Sequence, residues 1–282
     1  PRGPMKLAQA IIATLTYSDH FGFPLTSSVL HSRLIRVKAT RAQLIRALAH
    51  FPSTRGYYHL PGRSSLVTRR LRRAQLSAPL QSRARALATR LGHIPGVLAI
   101  YLTGSLAVSN SGPQSDIDLM VITGPGRLWT TRLLLTLYTS LRSWRRFPHS
   151  RHSSGKLCLN LFLSPASYLL PPSRRSLYTA YELIQAVPIY DPHHTHSNLL
   201  SANVWIHSYL PNFRPPHRTG GDLPALTTTR ITPAYIFEKL AYALQLSYMR
   251  HRITREYITP DSAFFHPHDP GIPILRRLRL LK

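Results

Sequence analysis

Acidic residues are the scarcest feature of this 282-residue chain: ten Asp and Glu stand against 36 Lys and Arg, a formal charge of +26. A chain so poor in carboxylates is a poor host for a cationic ligand and a natural partner for a polyanion, because Lys and Arg displace the counterions condensed on nucleic acid. Cysteine occurs once, as Cys158. That excludes an intramolecular disulfide and a Cys-rich metal site, fits a reducing cytoplasm, and leaves Cys158 to be read as a packing residue. The longest apolar stretch, Leu133 to Leu141, is closed by Arg132 and Arg142 and is too short to span a bilayer, so no membrane partner is expected. Lysine is also rare, five of the 36 cations. The Arg bias suits phosphate contacts and suits a coding bias equally well. What is present in quantity is apolar: 43% hydrophobic residues, many of them patterned, which argues against general disorder and for a chain long enough to hold two domains.

Two of the ten acids lie two residues apart. They occur in the run Leu102-Thr103-Gly104-Ser105, a ten-residue spacer, then Asp116-Ile117-Asp118-Leu119 leading to Ile122. On a strand, residues i and i+2 share a face, so Asp116 and Asp118 converge on one site while Ile117 and Leu119 turn to the other side. Paired carboxylates are hard oxygen donors and suit magnesium. Gly104 and Ser105 follow the apolar run Val97 to Leu102 and read as a strand-to-helix turn, where free amides and a hydroxyl can hold phosphate oxygens.

In this order and spacing the residues resemble the signature of the DNA polymerase beta-like nucleotidyltransferase superfamily, over about 100 residues. The resemblance implies that Asp116 and Asp118 hold two Mg2+ ions and that Gly104 and Ser105 bind the phosphates of a nucleoside triphosphate. Active members carry a third carboxylate on a later strand. Here the matching strand is Lys156 to Leu163, and its polar candidate is Asn160, a neutral amide that can ligate a metal but cannot act as a base. Glu182, in a helical run, and Asp191, after the strand Val187 to Tyr190, are the nearby acids that could substitute for it, and for each a structural role is the commoner one.

The expected class is α/β (α+β), a small mixed-sheet core over residues 93–191 with a separate unit before it and helices after it. In residues 1–63, helices at Ala8–Leu15, from Leu25 with Thr26 as its cap, and at Thr40–His50 with Leu44, Ile45 and Leu48 on one face are followed by a short β wing around Tyr57. That pattern resembles a winged helix-turn-helix, which implies nucleic-acid contacts through Arg41 and Arg46 on the third helix and Arg55 and Arg63 beside the wing. A packing role for such a unit is the competing reading. Residues 1–95 carry 16 Lys and Arg against one acid, Asp19.

Residues 64–92 read as a basic connector split by Pro79 into two helices. Residues 192–282 read as a helical region with a helix at Ser197–Leu210, a Pro/Gly-rich linker at 211–229, a long helix at Pro233–Ile258 and a basic tail. His193, His194 and His196, and the pair His266 and His268, lack the spacing of a zinc site. The functional expectation is magnesium-dependent transfer of a nucleoside monophosphate from a nucleoside triphosphate to a hydroxyl acceptor that no motif specifies, with the positive charge favouring DNA or RNA over a cationic small molecule and a protein partner also open. The alternative is a non-catalytic nucleotide sensor that binds nucleic acid.

Overall fold

A computed structural model of the chain describes residues 5–147, 154–215, 233–251, 253, 256–265 and 271–278. The opening stretch forms α1 (Leu7–His20), β1 (Leu25–Thr26), α2 (Ser27–Ser32), α3 (Arg41–Leu48), β2 (Ser53–Thr54) and β3 (Tyr57–Tyr58). Thr26 caps α2 by accepting from the Val29 amide, and Thr40 and Gln43 cap α3 reciprocally, so both helices start where a side-chain oxygen satisfies free amides. The three strands form an antiparallel sheet in the order β1-β3-β2, and Arg55 and Gly56, both at positive φ, make the turn between β2 and β3. Leu44 and Leu48 of α3 are buried with Ile11, Leu30 and Leu34. Ile45, expected on the same face, is 61% exposed, since it lies about 100° further round the helix than Leu44.

α4 (Ser65–Gly92) runs through Pro79 without a break, contrary to the expected split. The carbonyl that loses its partner to a proline belongs to Gln75, and Gln75 and Pro79 are both exposed, so the proline sits on the solvent side of the helix. The flanking turns are pinned as well. Ser77 Oγ accepts from the Ser111 amide at 3.1 Å, and Gln81 Nε2 donates to Leu106 O at 2.8 Å.

The main sheet is built from β4 (Val97–Leu102), β5 (Ile117–Thr123), β6 (Leu157–Leu163), β7 (Val187–Tyr190), β8 (Tyr257–Ile258) and β9 (Ser262–Phe264), in the order β7-β4-β5-β6-β9-β8. Only β5 and β6 pair in parallel, joined across α6 (Leu128–Leu141), while every other pair is antiparallel. The class is therefore mixed α/β, as expected. Two of its strands come from residues 257–264, so the sheet reaches past the expected limit at 191. The long C-terminal helix ends at Met249 for the same reason: Tyr257 and Ile258, read as its last turn, are bent back by Thr259, whose amide donates to Ser262 O at 2.8 Å.

The remaining helices are α5 (Gly104–Ala107), α7 (Leu177–Gln185), α8 (Thr195–Ala202), α9 (Ile206–Tyr209), α10 (Pro233–Met249) and α11 (Gly271–Arg277). The helix expected over 197–210 is broken at Asn203, which is fully buried and spends its side chain on Tyr168 O, Leu199 O and the Leu170 amide. Residues 216–229 of the linker, and Arg252, Arg255, His266, His268, Asp269 and Arg279, lie outside the described residues.

Strand alternation divides the core. Ala99, Tyr101, Met120, Ile122, Leu161 and Leu163 face α7, α8 and α9, while Ile100, Leu102, Ile117, Leu119 and Val121 face α4 and α6. The opening stretch shares the first of these layers through Tyr17 and Ile35. Hydrogen bonds bind it further: Tyr181 Oη donates to Arg33 O at 2.8 Å, and Asn212 accepts from the Ala39 amide at 3.0 Å and donates to Val37 O at 2.9 Å. α10 is held mainly by its polar side, where the Glu238 carboxylate accepts from the Trp129 and Thr130 amides and so caps the start of α6.

Candidate functional site

Asp118 lies near the start of β5, beside the end of β4, where the Thr103 amide donates to Asp118 O at 2.9 Å. Ile117 and Leu119 on either side of it are buried against α4 and α6, so the strand has no freedom to turn its carboxylate elsewhere. The next residue after that bond, Gly104, has a φ of +64° and starts α5. A Cβ there would stand 2.6 Å from Asp118 Oδ2. Glycine is thus required twice, for the left-handed turn and for the approach of backbone to carboxylate. The expected turn and the expected carboxylate pair meet at one place.

The register of β5 with β6 adds neighbours. Asp118 stands opposite Cys158, and Asn160 Nδ2 donates to Asp118 Oδ1. Cys158 Sγ donates to Asn160 Oδ1 at 2.7 Å, which fixes the amide with its N–H groups toward the aspartate. Asp116, just ahead of β5, accepts from Arg146 Nη1 at 2.5 Å. Burial and the neighbouring Asp116 charge push the Asp118 carboxyl up to about 6. The Cys158 thiol is pushed up to about 12, by burial and then by both aspartates.

Ligand atoms of Asp116, Asp118 and Cys158 all lie within 4.8 Å of one another. This donor set fits a divalent cation, because two carboxylates are gathered at one point. Cys158, read from the sequence as packing, is half-buried and belongs to this cluster. Its position two residues from Asn160 on one strand was the signal for it.

A cavity of about 400 Å³ opens beside Gly104 and Ser105. Ser105 is exposed, with Oγ 3.4 Å from Ser111 Oγ. The cavity separates the two spare acids. Glu182 lines it, and burial together with the Asp118 charge pushes its carboxyl up to about 7. Asp191 instead caps α8, accepting from the Thr195 amide and hydroxyl at 2.8 Å each and the His196 amide at 3.0 Å. Its role is structural.

Of the four arginines singled out near the N-terminus, Arg41, Arg46 and Arg55 are exposed. Arg63 is held by Asp19, its Nε 2.7 Å from Oδ1. His193 and His194 are exposed on the turn before α8, and no histidine joins a metal-ligating cluster among the described residues. No helix among the described residues is long and apolar enough to cross a membrane. No family model, curated protein or solved structure matches this chain, so the meaning of the site is carried by its own geometry.

Proposed function

We propose that the chain is a magnesium-dependent nucleotidyltransferase of the polymerase beta-like type, which moves a nucleoside monophosphate from a triphosphate to a hydroxyl and releases pyrophosphate. The observation that carries this reading is the close approach of Gly104 to Asp118, which sets the turn at Gly104 and Ser105 against a carboxylate of the cluster that could hold a metal. In this reading Asp116 and Asp118 would hold up to two Mg2+ ions, which would supply charge neutralisation to the phosphates when bound. The Ser105 hydroxyl and the amides of the turn orient the phosphate chain. Asn160 fixes Asp118 through its N–H group and cannot remove a proton, so Glu182 is the acid left to receive one from an acceptor in the cavity.

The element order helix-strand-helix-helix-strand-strand of the opening unit supports reading it as a winged helix, in which Arg41, Arg46 and Arg55 would give a phosphate-contacting face. DNA or RNA is then the acceptor that the charge of the chain favours over a cationic small molecule. One observation favours the second reading, a nucleotide sensor without transfer: Arg146 already neutralises Asp116 and an amide stands where the third carboxylate is expected.

Incubation with each labelled triphosphate, magnesium and pools of RNA, DNA and protein separates the two. Label appearing in one pool, and lost in Asp118→Asn, supports the transferase. Magnesium-dependent binding with no label in any pool, converted to transfer by Asn160→Asp, supports the sensor.

A further inference from the structure

The cavity beside Gly104 and Ser105 has a wall that the phosphate reading leaves unused. Its volume of about 400 Å³ is in the range of pockets for small organic ligands. That wall comes from α1 and the residues after it and from α7, and it is aromatic. Phe21 keeps 37% of its surface exposed although it lines the space, and its ring centroid lies 6.5 Å from that of Tyr178. Behind them Tyr17 stacks on Tyr181 at 4.0 Å and fixes the backing of the wall.

The charge of the same lining is net positive, two arginines against the carboxyl of Glu182. Arg33 and Arg73 make it cationic, which repels a cationic ligand and attracts an anionic one. Asn110 is 5% exposed, and its Nδ2 donates to Phe21 O at 3.1 Å, but its Oδ1 is buried without a hydrogen-bond partner. That oxygen is shielded from the cavity as well as unpaired, so it marks a polar spot in the wall and is not itself a contact for a ligand. A flat ring and an attached anion, the two features this lining suits, occur together in a nucleotide.

We propose that the cavity binds a nucleoside with its base against Phe21 and Tyr178, so that the N-terminal unit is a wall of the substrate site. The inference rests on the reading of Gly104 and Ser105 as a phosphate site. Its chemistry is shared by two sources, the incoming triphosphate and the terminal nucleotide of a nucleic-acid acceptor.

The 282-residue chain is titrated calorimetrically with a nucleoside triphosphate, with inorganic tripolyphosphate and with a short single-stranded oligonucleotide, all with magnesium, in wild type, Phe21→Ala and Tyr178→Ala. Phe21 is exposed enough that its loss leaves the fold intact, which thermal melting checks. Tripolyphosphate should bind equally to all three proteins. The triphosphate or the oligonucleotide, whichever source is correct, should bind wild type about tenfold or more tightly than the variants, the worth of one stacked base. If wild type binds triphosphate no better than tripolyphosphate and both variants bind the oligonucleotide as wild type does, the inference is overturned and the phosphate reading stands. If tripolyphosphate and triphosphate both fail to bind, the phosphate reading falls. The nucleoside site then survives only if oligonucleotide binding is present and lost in the variants.

Discussion

Gly104 and Asp118 are so close that no side chain fits between them: a Cβ on the glycine would stand 2.6 Å from the carboxylate oxygen, on a backbone whose φ of +64° already disfavours one. Gly104→Ala must therefore move the carboxylate or the turn. The left-handed conformation alone costs about 1–2 kcal/mol with a Cβ, so a fall of a few degrees in melting temperature is expected. Magnesium-dependent triphosphate affinity, read by calorimetry, should fall by about tenfold or more as Asp118 is displaced. Unchanged affinity would reduce the close approach to a packing detail.

Arg146 competes with any cation for Asp116. The pair is largely exposed on the arginine side, at 46%, and exposed pairs contribute about 0–1 kcal/mol to stability. Arg146→Gln should thus leave the melting temperature within a degree or two of wild type and tighten divalent-ion binding several-fold. A weaker ion affinity in the variant would show that Arg146 supports the site instead of masking it.

Glu182 gives the site a pH signature. Its carboxyl is pushed from its ordinary 4.5 up to about 7 by burial and by Asp118. The native chain then holds a proton that the unfolded chain has released, so stability falls as pH rises from about 4.5 to 7, and above 7 the whole cost of a buried carboxylate is carried. Glu182→Gln should stabilise the protein at pH 8 by roughly 1–3 kcal/mol, with the gain vanishing near pH 4. Denaturant titrations of both proteins at the two pH values measure it, and an equal difference at both would assign the effect to packing.

Nucleic-acid binding through the opening unit would be read from its salt dependence. Replacing Arg41, Arg46 and Arg55 together by Gln should flatten the slope of log affinity against log salt by about 2–3 on duplex DNA, close to one for each phosphate that is no longer neutralised. A triple variant with the wild-type slope would place the basic footprint elsewhere, for example on α4.

The parts of the site that depend on local spacing were legible in the chain itself. The turn at Gly104 and Ser105 and the carboxylates of Asp116 and Asp118 follow from a strand ending and a period of two. Period two puts Cys158 on the face of Asn160, but its place opposite Asp118 depends on the register between two strands some forty residues apart. Glu182 and Asp191 look alike as isolated acids, and only the tertiary packing sends one to the cavity and the other to a helix cap. Pro79 misled for a related reason: a proline breaks a helix whose freed carbonyl is buried, and exposure is not written in the local sequence. The strands at 257–264 are too short for alternation to distinguish them from a helix end.

The clasp made by Asn212 has a consequence for the order of events during synthesis. It joins Val37 and Ala39 to a residue 173 positions later than Ala39, and Arg36 likewise donates its amide to Tyr209 O. Pairings of such sequence separation pay their loop-closure entropy before they return any stability and slow the search for the native state. The segment after α2 must therefore wait until a further 173 residues have been made before this clasp can close. Until then the apolar side of Ile35 has no final cover, which makes the nascent protein a candidate for chaperone capture at its own N-terminal unit.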